Sequence, residues 1–332
     1  MLRLCRATGI LVLAGVVLTP MIAFAQGGLR TGWGDPDLQG VWDYWTFTPL
    51  ERPDELGGRA QLTEEEAAEL GQSSSAQAVA DLPPPPGSVG GYSQEVWTDR
   101  ARPTALRQSS ILVDPADGKL PALTDAAQAR EAAHADSGGY PVRLRVGGFN
   151  EDGPEMRGAA ERCLLGFSTG PPLLPGGYNN NVQIFQSPGF VVLLIEMVHD
   201  VRVIPLDGRD QLPDNVRQWM GSSRGHWEGD TLVVETTNFT NATGSFNTSF
   251  VSWGSAENTR LVERFTRDGD GALLYEFTVE DPDTWTSPFS GRLPMTRSDQ
   301  PLYEYACHEG NHGMFNLLRG ARAIERETTN QP

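Results

Sequence analysis

Near the end of the chain, His308, Glu309 and His312 occur in the order His-Glu-x-x-His. On a helix that spacing puts two imidazoles on one face, where they can hold zinc while the glutamate serves as general base of a hydrolase. The intervening Gly310 and Asn311 are poor helix formers where the motif needs a helix. Residues 303–306 alternate like a strand, so a helix is expected from Gly313 through Leu318, with the histidines left at a strand-to-helix junction. No third ligand follows at a suitable spacing: Phe315 stands three after His312, and only Glu325 and Glu327 remain beyond it. A divalent cation held instead by His199, His308 and a carboxylate is the other metal arrangement these residues allow. Otherwise the motifs require no cofactor.

Two further groups have types suited to proton transfer. If 197–205 is one strand, Ile195, Met197, His199, Val201 and Val203 share a face, and His199 interrupts an otherwise apolar stripe. Facing a dry interior it would be a titratable catalytic base or acid; the bland alternative is a hydrogen-bonded core histidine. Asp200 and Arg202 fall on the opposite face as a charge pair, Arg202 also counting among the groups that could bind substrate. Glu235 shares a face with Val233 and Phe239, so it is either an inward acid/base group or a solvated strand glutamate. His226, beside a glycine and a turn, reads as surface. Tyr178, Asn179, Asn180 and Asn181 offer amides to a carbonyl, hydroxyl or oxyanion, with Tyr305 as a further orienting group. Three asparagines in a row are also ordinary loop chemistry.

The elements that must position these groups divide the chain in two. Residues 26–177 read as an irregular Pro- and Gly-rich wrapping, with a loop at 83–91. Within it, Thr63 and Glu66 form a capping box opening a helix through Leu70, and a second helix runs over 124–134. Residues 111–113 and Leu120 suggest a hairpin. From 178 to 323 the character changes to strands separated by compact turns: 182–186, 190–196, 197–205, 231–238, 260–267, 273–280, 291–296 and 302–307. The fold expected is mainly β, an antiparallel meander or a lipocalin-like barrel that closes its edges, with short helices in the wrapping and one at the C-terminus.

The whole chain narrows the functional classes. Arg3 and Arg6, an apolar run over 10–17 and small residues at Ala23 and Ala25 read as an export signal cleaved near Ala25. No later stretch is long and apolar enough for a membrane span, so the mature chain is expected to be periplasmic or extracellular. Its formal charge of −17 becomes −19 without those two arginines, which repels phosphate backbones and excludes nucleic acid as a natural partner. Cleavage leaves Cys163 and Cys307 in a compartment that permits a disulfide; buried thiols and metal ligation are the alternatives. Asn238 opens a glycosylation sequon, as do two later asparagines.

Seven segments taken together resemble a large family of exported bacterial proteins of unassigned function. They are 35–42 (DPDLQGVW), 161–163 (ERC), 178–181 (YNNN), 196–202 (EMVHDVR), 227–238 (WEGDTLVVETTN), 280–282 (EDP) and 305–311 (YACHEGN). The resemblance implies export and a single architecture over most of the mature chain, and no activity. It also implies an aromatic at the position of His312, which makes the zinc-like spacing accidental.

These readings give an exported enzyme acting on a small organic molecule by acid/base chemistry inside a barrel, as a lyase, hydratase, isomerase or hydrolase. His199 is the base or acid, with Glu235 or Glu309 as counterpart. The alternatives are a non-catalytic binder of apolar or aromatic molecules using Tyr275, Phe277 and Trp285, and a zinc hydrolase using His308 and His312.

Overall fold

The computed structural model describes residues 29–79, 107–136, 158–166, 169–248 and 251–329. The export segment and the 83–91 loop lie outside them. Strands β1 (Gly40–Asp43), β2 (Leu112–Asp114), β3 (Asn181–Ser187), β4 (Phe190–Ile195), β5 (Val201–Pro205), β6 (Ser222–Glu228) and β7 (Thr231–Thr237) are followed by a small hairpin, β8 (Phe246–Asn247) with β9 (Ser252–Trp253). The long strands β10 (Arg260–Asp268), β11 (Ala272–Glu280) and β12 (Phe289–Ser298) complete the set. Helices α1 (Glu64–Val79), α2 (Asp125–Asp136) and α3 (His312–Thr329) flank it.

One antiparallel sheet runs in the order β5-β4-β3-β1-β12-β11-β10-β7-β6, with β2 added beside β12. The mainly β, meander-like architecture is therefore the expected one. No backbone ladder joins the edge strands β5 and β6, so the barrel is not closed by hydrogen bonds. The sheet nonetheless curls until its ends meet. Arg202 on β5 reaches Ser223 on β6, Thr236 on β7 and Glu263 on β10. Alternation is regular on the long strands: Leu261, Glu263 and Phe265 point inward from β10, and Leu273, Tyr275, Phe277 and Val279 from β11. Trp42, Tyr44, Phe246 and Phe289 fill the same interior, each fully buried.

Several expectations are corrected. The N-terminal segment is not only a wrapping, because β1 sits in the middle of the sheet between β3 and β12. Residues 111–113 form no hairpin with Leu120; β2 pairs with β12 at Leu112 and Asp114. Met197–His199 is a tight 3-10 turn, which shortens the strand expected over 197–205 to β5. Residues 302–306 form no strand. The capping box is as read, Thr63 N–H donating to Glu66 Oε2 at 2.8 Å and Glu66 N–H to Thr63 Oγ1 at 3.1 Å, though α1 continues past Leu70 to Val79. The C-terminal helix likewise outruns Leu318 and ends at Thr329. Among the described residues no helix is long and apolar enough to cross a membrane.

Candidate functional site

The β4–β5 connection is the most strained place among the groups with chemical potential. Ile195 N–H donates to the Asp200 carbonyl at 2.8 Å, so Glu196–His199 must reverse the chain in four residues. No glycine or asparagine is present to ease this. Val198 (φ 61°) and His199 (φ 49°) both take left-handed backbone, which is costly for a β-branched residue. Val198 is held there by burial at 4% exposure against Gly166. A Cβ on Gly166 would lie 2.2 Å from Met197 Cγ and 3.0 Å from Val198 Cγ2, so the absent side chain is what lets the turn seat.

The turn also reverses the expected parity. Asp200 resumes extended backbone (φ −66°, ψ 139°), which aligns Asp200, Arg202 and Ile204 on the inward face and turns Val201 and Val203 to solvent. Asp200 stands at the rim of the interior, and its Oδ2 is buried with no hydrogen-bond partner. Burial pushes its carboxyl up to about 7, and the neighbouring His199 charge works against that rise. His199 is exposed on the outer side of the turn. Its Nδ1 lies 3.1 Å from the Tyr305 carbonyl oxygen, which can only accept, so Nδ1 carries the proton of that bond and Nε2 is left as the free nitrogen.

Four of the sequence motifs meet here. Cys163 and Cys307 form a disulfide, joining the ERC segment to the YACHEGN segment. Asn311 Nδ2 donates to the Glu161 carbonyl at 2.7 Å and approaches Cys163 Sγ at 3.4 Å. Asn181 Nδ2 donates to Glu196 Oε2 at 2.8 Å, tying the asparagine run to the turn. Segments far apart in the chain thus clamp the His199–Asp200 turn from three sides.

Two residues beyond Asp200 lies a second polar group of opposite character. Arg202 and Glu263 form a buried ion pair, with side chains 2% and 0% exposed. Arg202 Nη1 donates to Glu263 Oε1 at 3.0 Å, and Nη2 bonds Glu263 Oε2, Ser223 Oγ (3.2 Å) and Thr236 Oγ1 (3.1 Å). The Tyr275 hydroxyl donates to Glu263 Oε1 at 2.8 Å and accepts from Leu173 N–H at 3.0 Å. Desolvation opposes the Arg202 charge, but Glu263 more than offsets it, so the guanidinium is held above its ordinary value. Burial first, and the Glu263 charge second, raise the Tyr275 hydroxyl well above its own. Within this cluster Arg202 Nε alone lacks a partner. This is a tie between the sheet ends, with both partners spent on each other.

The other expected site residues scatter. Glu235 is not inward: it is half-exposed on β7 and paired with Arg260. His308 and Glu309 are exposed in the turn before α3, which starts at His312, so His308 and His312 do not share a helix face. Among the described residues no three His, Cys, Asp or Glu side chains come close enough together to hold a metal ion. Asn180 is fully buried and folds its amide onto the Gly176 backbone, accepting from its N–H at 2.6 Å and donating to its carbonyl at 3.1 Å. Asn179 (φ 57°) shapes the same loop, and Tyr178 packs half-buried against the core. Tyr275, Phe277 and Trp285 are buried core residues: Tyr275 packs on Phe265 and Phe277, Phe277 also on Phe246, and Trp285 edge-on against Phe289. Asn238 is no sugar acceptor in this fold: buried, it donates to the Leu212, Pro213 and Val216 carbonyls.

In the sequence Asp200 reads as half of a charge pair with Arg202. Its one legible signal was the spacing to Arg202, which forces the two to share a face whichever way the strand turns. No model of a known protein family matches the chain, and neither does any curated protein.

Proposed function

We propose that this is an exported protein that performs acid/base chemistry on a small organic molecule at the β4–β5 turn, with Asp200 and His199 as the proton-handling pair. The observation that carries the reading is the buried, unpartnered Oδ2 of Asp200 in a strained turn. A fold does not keep an unsatisfied buried carboxylate directly after a left-handed turn without a compensating use, and such combinations concentrate at functional sites. An acid that holds its proton until near neutrality is suited to deliver it at physiological pH. The exposed Nε2 of His199, its tautomer set by the Tyr305 carbonyl, supplies a proton acceptor beside it. Elimination, hydration, isomerisation or hydrolysis would each use such a pair, so a lyase, hydratase, isomerase or hydrolase is the class proposed. Export is supported by the Cys163–Cys307 disulfide, of a kind that persists in oxidising compartments, and by the signal-like sequence over 3–25.

The test is turnover of pooled small organic molecules followed by mass spectrometry, comparing the mature chain with Asp200→Asn and His199→Ala. The expected result is a product made by the parent and lost in both variants. A product formed equally by all three proteins would reject the assignment.

A further inference from the structure

Where β2 joins the sheet beside β12, residues 52–61 and 108–116 leave a recess of about 250 Å³. Its polar wall is Arg52, Gln108, Ser110 and Arg292, and Ala60, Val113 and Ala116 supply the apolar part, over the fully buried Leu112. Arg52 is only 2% exposed, yet its Nε donates to Ser109 Oγ and its Nη1 to the Ala116 carbonyl, both at 2.9 Å and both to neutral oxygens. Gly118 (φ 70°) makes this possible: a Cβ there would stand 2.5 Å from Ser110 Oγ and 3.1 Å from Arg52 Nη2.

Arg292 is oriented in the same way by neutral groups. Its Nε donates to Gln108 Oε1 at 3.3 Å, and the Gln108 amide is itself buried and anchored to the Ser110 and Arg292 carbonyls at 3.1 and 3.4 Å. Among the described residues neither guanidinium has a carboxylate within ion-pair distance, whereas Arg202, the other buried arginine among them, is answered by Glu263. Glu276, directly opposite Arg292 in the ladder, is not paired with it. A buried cation without a countercharge is costly to keep, and here two cations converge on one recess with their remaining N–H groups unspent.

We propose that this recess binds a small organic carboxylate, with the guanidinium groups of Arg52 and Arg292 taking the carboxylate and Ala60, Val113 and Ala116 its apolar body. Planar guanidinium forks match a carboxylate in geometry as well as charge. The apolar wall favours an organic acid over a bare inorganic anion. The volume falls below that of sites for drug-sized ligands, which limits the occupant to a small molecule. The proposal stands apart from the reading of Asp200, which lies on a different strand and faces the interior.

Isothermal titration calorimetry on the mature full-length chain tests it, with benzoate as probe, benzamide as its neutral isostere and sulfate as a compact inorganic anion. Benzoate is expected to bind at least about tenfold more tightly than benzamide or sulfate, and Arg292→Gln to weaken benzoate by about tenfold. Arg292 is half-buried, so that variant should keep its fold, checked by circular dichroism. Arg52→Lys, which keeps charge but loses the fork, should also weaken benzoate and provides the second readout. No benzoate binding, equal affinity for benzamide, tighter sulfate, or unchanged affinity in both variants would overturn the proposal.

Discussion

Asp200 and Arg202 are two residues apart, share the inward face of one strand, and treat a buried charge in opposite ways. Arg202 is wholly enclosed and answers Glu263, Ser223 and Thr236, with Tyr275 completing the set through Glu263. Asp200 sits at the rim with a buried oxygen that answers nothing. The first arrangement neutralises the penalty of burial and ties β5 to the far end of the sheet. The second leaves the penalty standing, and a charge kept in that state is more informative about function than one that is satisfied.

The contrast can be broken most severely from the paired side. Glu263→Ala strands the Arg202 guanidinium inside the sheet and should cost about 3–5 kcal/mol in denaturant unfolding. Arg202→Met combined with Glu263→Leu should recover most of that loss, because an apolar pair of similar volume carries no uncompensated charge. If the double variant is as unstable as the single, the tie is more than a satisfied ion pair.

From the unpaired side the sign reverses. The Asp200 carboxyl is raised to about 7 in the fold and is ordinary when unfolded, so the folded state binds the extra proton between those two values. Stability therefore falls as pH rises through that window, and above it the penalty is complete. Asp200→Asn should stabilise the protein by on the order of 3 kcal/mol at pH 8, with the gain shrinking toward zero near pH 4. Thermal melts of both proteins across that range provide the check; a gain independent of pH would contradict the cause given.

Gly166→Ala probes the clamp. Its new methyl would press on Met197 and Val198, and a loss of roughly 2 kcal/mol is expected, with greater protease sensitivity at the turn. The smallest effect belongs to His199→Ala. The ring is exposed and makes one bond to a carbonyl, so stability should stay within about 0.5 kcal/mol while turnover is lost. A large loss of stability there would make His199 structural.

What could be read in advance follows from the range of the interactions involved. The capping box at Thr63 and Glu66 and the hairpin of β3 and β4 depend on residues a few positions apart, and both were legible. β1 was not, because four residues identify a central strand only through partners such as Val182 and Arg297, far along the chain. The β4–β5 turn was invisible for a different reason. Val198 and His199 carry no sequence mark of left-handed backbone; tertiary packing against Gly166 imposes it. That turn shifts the parity of everything after it, so a correct alternation on 197–205 placed His199 inside and Arg202 outside when the reverse holds. Glu235 takes the solvated of its two readings: Leu232, Val234 and Thr236 are inward residues of β7, leaving the glutamate to Arg260. The meeting of the ERC, YNNN, EMVHDVR and YACHEGN segments was foreshadowed only by the two cysteines.

The central claim is that Asp200 carries its proton to near neutrality. Side-chain carboxyl chemical shifts of the ¹³C-aspartate-labelled protein, assigned by the resonance missing in Asp200→Asn, measure this directly. A titration midpoint of about 7 is the predicted result. A midpoint near the ordinary aspartate value of about 3.9 would show the carboxylate to be solvated and would contradict the account.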